Sequence, residues 1–101
     1  MDTAIQQNQD TLDVRMSGKF TFSDHPIFRQ IIEKMSDPNI RQIIFYMERI
    51  EFVDSAALGM LLLSHDEAEK NGKKIVISGI HGQVKKMFDA ARLGTLFTLK
   101  E

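Results

Sequence analysis

No cysteine occurs among the 101 residues, which excludes a disulfide framework, thiolate metal sites and cysteine nucleophiles. Charge of one sign is equally scarce. Thirteen Lys and Arg face fourteen Asp and Glu, so a net charge of −1 sets up no global field to gather DNA, RNA or an anionic membrane. Long hydrophobic runs are missing too. The longest, Ala56 to Leu63, includes Gly59 and is far too short to span a bilayer. Met1 to Gln7 lacks a basic segment followed by an apolar stretch, so no signal peptide is expected. These absences point to a cytoplasmic chain with no nucleic-acid partner and no membrane insertion. What is present is ordinary for a globular protein, 43% apolar and 27% charged residues, in a length that suits one domain over residues 1–101.

Periodicity supplies the elements. Leu12, Val14 and Met16 alternate with Asp13, Arg15 and Ser17, the period-two pattern of a half-buried strand. Thr3 to Gln7 is expected as an edge strand before it, and Gly18 as its end. Ser23 or Asp24 caps the next helix, with Pro26 in its first turn. Ile27, Phe28, Ile31, Ile32 and Met35 share one helical face, and Asp37-Pro38-Asn39 stops the helix. Ile43 to Met47 is a continuous apolar run that suits a central strand covered on both faces. Asp54 or Ser55 caps a helix over Ala56 to Lys70, closed by Asn71-Gly72. Ile75 to Ile77 forms a further strand, followed by a turn flanked by Gly79 and Gly82. Val84, Met87, Phe88 and Ala91 mark a last amphipathic helix, and Leu96, Phe97 and Leu99 a closing strand. Helices alternating with short apolar strands imply an α/β fold built on right-handed crossovers, with a mixed, largely parallel sheet.

Chemistry-bearing patterns are few. Neither nucleotide-binding glycine motif is present, and Gly72-Lys73-Lys74 reads as a helix exit. His25, His65 and His81 lie on different elements, none with a second ligand at metal-binding spacing, so no metal or other cofactor is expected. Met35, Met47, Met60 and Met87 fall inside apolar patterns and read as core filling. Ser55 lacks the glycine-x-serine-x-glycine setting of a nucleophile elbow and has no histidine near it in sequence. Gly59 stands out, because glycine in a helix interior costs about 1 kcal/mol against alanine. Close approach of another backbone or of a partner would explain it.

The segment around that glycine resembles the signature of STAS-domain anti-sigma factor antagonists. Phe52-Val53-Asp54-Ser55-Ala56-Ala57-Leu58-Gly59 carries the family's apolar pair, Asp-Ser, two small residues, an apolar residue and glycine. Gly18-Lys19-Phe20 is similar to the family's turn after an early strand, and Val84-Lys85-Lys86-Met87-Phe88 through Phe97 to its last helix and closing strand. Two positions depart from the pattern. Thr21 stands where many members have Asp, which puts in doubt any role attached to that Asp, and Ala56 stands where Ser or Thr is common, leaving Ser55 the only hydroxyl at the motif. The Asp-Ser-Ala-Ala-Leu-Gly-Met form resembles the branch paired with response-regulator kinase/phosphatases in Gram-negative bacteria.

The resemblance implies a STAS-like fold and a binding protein with no enzymatic activity. It implies phosphorylation at Ser55 and a partner surface of Asp54, Ser55, Ala56, Leu58 and Gly59, with Phe22 and Ser23 in the neighbouring loop. The implied partners are an anti-sigma factor or serine kinase, and a serine phosphatase of PP2C-like type. The alternative is a STAS subunit that regulates a transporter or lipid-transport complex without phosphorylation. A sensor or hydrolase built on Ser55 would need a basic partner beside it, and a constitutive adaptor would need no switching.

Overall fold

The computed structural model describes residues 1–101. Strand β1 (Asp2–Asn8) turns at Gln9 and Asp10 into β2 (Thr11–Phe20). A short 3-10 turn (Phe22–Asp24) leads to α1 (His25–Met35), then β3 (Gln42–Val53), α2 (Ser55–Lys70), β4 (Lys74–Ser78) and α3 (Gly82–Ala90). A second 3-10 turn (Leu93–Thr95) precedes β5 (Thr98–Lys100). The sheet order is β1-β2-β3-β4-β5, with β1 antiparallel to β2 and every other pair parallel. This is the mixed, largely parallel α/β sheet that the sequence implies.

Each crossover advances by one strand in the same direction. With right-handed connections this sends all three helices to one face of the sheet. Burial agrees: Val14 and Met16 on β2, Ile43, Phe45 and Met47 on β3, and Ile75 and Ile77 on β4 join one core with Phe28, Ile31, Ala57, Leu61, Val84 and Phe88 of the helices. At its centre Phe28 stacks between Phe20 (centroids 5.2 Å apart) and Phe45 (5.7 Å).

The other face corrects the expectation for β3. It carries no helix, so the apolar run Ile43–Met47 is covered on one side only. Ile44 and Tyr46 lie on the bare side at intermediate exposure. Neighbouring strands screen them instead: Val76 pairs with Ile44, and the Arg15 guanidinium sits 4.3 Å from the Tyr46 ring centre.

Smaller differences have local causes. Gly18 does not end β2. It adopts φ +94° at a register shift, a bulge that lets the strand run on to Phe20. The third strand continues through Glu48 and Arg49 to Val53, well past the apolar run. Ile27 of α1 is solvent-exposed, whereas Phe28, Ile31 and Met35 are buried. Ala91 follows α3 as its C-cap and is exposed, and the closing strand starts only at Thr98, with Phe97 buried just before it.

Candidate functional site

Because β3 outruns β4, its end is held differently on its two edges. Pairing with β4 stops at Tyr46 opposite Ser78, while pairing with β2 continues to Val53 opposite Phe20. On the edge that β4 leaves free, the side-chain amide of Gln83 takes over. Its Oε1 accepts from the Val53 N–H (3.0 Å), and its Nε2 donates to the Val53 carbonyl (2.9 Å). His81 Nε2 lies 2.8 Å from the Glu48 carbonyl oxygen, further back along the same overhang. Neither link was legible in the sequence, where these partners stand about thirty residues apart.

The next residue starts the helix. Asp54 is the N-cap of α2, with extended backbone (φ −100°, ψ 178°), and its Oδ1 accepts from the Ala57 N–H at 2.8 Å. The cap is therefore Asp54, and Ser55 is the first helical residue. The second carboxylate oxygen reaches across the corner to accept from the Phe22 N–H (3.1 Å). One side chain thus caps α2 and ties down the loop after β2. Within that loop Thr21 N–H donates to Asp24 Oδ2 (2.9 Å), and Thr21 Oγ1 and Ser23 Oγ lie 2.9 Å apart. Asp24 is buried and also accepts from the Met1 ammonium at 3.2 Å. Its carboxylate is spent on these contacts, and it forms no side-chain cap on α1.

The motif residues divide by orientation. Ser55 and Gly59 are exposed, one helical turn apart on the outer face of α2, with Leu62 continuing that face at 36% exposure. Ala56 is half-exposed, and Phe22 projects into solvent at 70% with Ser23 beside it. Leu58 is turned the other way: it is 7% exposed and belongs to the core, so it supports this surface from beneath. A Cβ placed on Gly59 would meet nothing within 4 Å. No part of this chain needs glycine there.

The first four N–H groups of a helix lack intrahelical partners unless a cap supplies them. Asp54 serves Ala57 by its side chain and Leu58 by its carbonyl (3.3 Å), which leaves the Ser55 and Ala56 amides at the open end. The corner therefore offers an exposed hydroxyl at a positive helix end, flanked by a carboxylate and by exposed apolar side chains.

A mostly parallel sheet covered on one face, with such a serine opening its second crossover helix, defines a class of small α/β domains. This chain belongs to the STAS domain family, whose profile matches residues 2–101. Among curated proteins it is 28% identical over 88 residues to a STAS-domain containing protein of Pseudomonas aeruginosa, covering 87% of this chain and 86% of that one. It is 21% identical over 89 residues to the anti-sigma-B factor antagonist of Staphylococcus aureus, covering 88% and 82%. The fold matches the anti-sigma factor antagonist SpoIIAA in its unphosphorylated form (TM-score 0.76, 16% identity, 99% of this chain and 87% of that one). It also matches the phosphorylated form of SpoIIAA from Bacillus (0.73, 22%, 97% and 90%). In addition, 89% of the chain superimposes on 15% of the murine Solute Carrier 26 family member A9 anion transporter (0.74, 25%).

Proposed function

We propose that this protein is an anti-sigma factor antagonist that binds an anti-sigma factor, or a related regulator, and that phosphorylation of Ser55 breaks the complex. The observation that carries the reading is the exposed Ser55 hydroxyl at the capped start of α2, in the middle of a surface with exposed Phe22, Gly59 and Leu62. The chain acts in the cytoplasm as substrate and binder, not as an enzyme. A serine kinase adds the phosphate and a PP2C-like phosphatase removes it. No helix is long and apolar enough to cross a membrane.

A phosphate at Ser55 adds about −1.5 to −2 charges. The helix end favours an anion there by about 0.3–1 kcal/mol, and the Asp54 carboxylate next door opposes it by a comparable amount. The fold of the corner therefore changes little, and the effect falls on whatever packs against it. Burying an unpaired charge in an interface costs several kcal/mol, and each 1.4 kcal/mol is about tenfold in affinity. A hundredfold switch needs no conformational change.

A subunit that regulates a transporter or lipid-transport complex would share this fold, as the anion-transporter match illustrates. The retained, exposed Ser55 favours the switch. Partners pulled down from the native host by wild type, Ser55→Ala and Ser55→Asp, with phosphosite mass spectrometry on the wild type, separate the two. The switch requires phosphate on Ser55 and a regulator that Ala keeps and Asp loses. An unmodified Ser55, with the same membrane-complex subunits on all three proteins, would establish the constitutive role.

A further inference from the structure

We propose that Gln83 is a positioning residue for Ser55, acting from the first turn of α3 on the peptide that carries the switch. The functional part of this inference rests on Ser55 being the phosphorylated residue; the structural part does not.

Four observations lead there. The end of β3 lies beyond the reach of β4, whose pairing stops at Ser78. The main-chain groups of Val53 on that side would have no strand partner. The Gln83 amide meets both of them at 3.0 and 2.9 Å, one donor and one acceptor, as a strand neighbour would. On the opposite edge β2 holds the same stretch through the Phe20–Val53 pair and the Asp54 N–H to Phe20 carbonyl bond (3.3 Å).

The consequence is geometric. The Val53 carbonyl belongs to the peptide that ends in the Asp54 nitrogen, so Gln83 fixes the plane from which the Asp54 cap and the Ser55 side chain depart. Asp54 must reach two amides on different elements, Ala57 and Phe22, from that one plane. Phosphoryl transfer depends on alignment of the acceptor hydroxyl, and small misplacements are costly in rate. The exposed residues Gly59 and Leu62, further along the outer face of α2 where a kinase would dock, share no hydrogen bond with Gln83. Loss of this amide should therefore slow the transfer step and leave docking intact.

Gln83→Met keeps the length of the side chain and removes both hydrogen bonds; Gln83→Ala removes its bulk as well. Amide hydrogen exchange by NMR reads the hold directly, with no kinase present. The expected result for Gln83→Met is exchange at Val53, bonded to Gln83, and at Asp54, bonded to the Phe20 carbonyl, at least tenfold faster than wild type, with Phe45 and Met47 unchanged. Steady-state phosphorylation by the serine kinase recovered from the native host reads the function. There kcat should fall about tenfold or more at an unchanged KM, a split that general loss of stability would not produce. Unchanged exchange at Val53 and Asp54 overturns the proposal outright. So does faster exchange together with wild-type kcat. If wild-type Ser55 accepts no phosphate from any kinase of the host, the reading of Ser55 fails first and takes the role of Gln83 with it.

Discussion

Replacing Asp54 separates two jobs that one carboxylate performs. In Asp54→Ala the N-cap bond to Ala57 (2.8 Å) and the bond to Phe22 (3.1 Å) are both lost. An N-cap truncation costs about 0.5–2 kcal/mol, typically near 1. The Phe22 bond lies at the surface, where the freed amide returns to water, so its loss adds only about 0.5 kcal/mol. The expected destabilisation is about 1.5 kcal/mol, which lowers Tm by about 6–12 °C in a domain of this size. Asp54→Asn distinguishes the parts. Asparagine is as good a cap as aspartate, and its one carbonyl oxygen cannot also serve Phe22. This variant should stay within about 0.5 kcal/mol of wild type while its Phe22 amide exchanges faster. Urea unfolding gives the stabilities and NMR hydrogen exchange the loop. An Asp54→Ala protein as stable as wild type would refute the cap argument, and a protected Phe22 amide in Asp54→Asn would refute the link.

Two further substitutions probe the corner and the core. Gly59→Ala should stabilise the isolated protein by about 0.5–1 kcal/mol in urea unfolding, since the added methyl meets nothing and alanine favours the helix. The same change should weaken partner binding in a titration; gain of stability without that loss would mean that Gly59 is not a contact. Phe28→Ala empties the middle of the Phe20–Phe28–Phe45 stack and should cost about 3–5 kcal/mol, a Tm loss of at least about 12 °C by calorimetry.

Much of this was legible in the sequence because it depends on neighbours in the chain. The alternation through Leu12, Val14 and Met16 marks β2, and all three are buried. Pro26 sits in the first turn of α1, and Asp54 opens α2. The bare face of the sheet was not legible. Ile44 and Tyr46 make the run Ile43–Met47 look buried on both sides, and only the strand order shows that every helix falls on one. Leu58 sits inside the motif yet faces the core, because its neighbours on the helix cylinder, not its place in a pattern, decide what it touches. The links that shape the site, Asp54 to Phe22 and Gln83 to Val53, join residues about thirty positions apart. No local periodicity encodes them.

The central claim is that a phosphate at Ser55 ejects the partner by charge alone. Its most direct test is calorimetric titration of the regulator recovered from the host against two forms of this protein. One is unmodified, and the other carries phosphoserine inserted at position 55 during translation. The account predicts affinity lower by about a hundredfold or more for the phosphorylated form. Its circular dichroism should match that of the unmodified protein. Equal affinities for the two forms would contradict it.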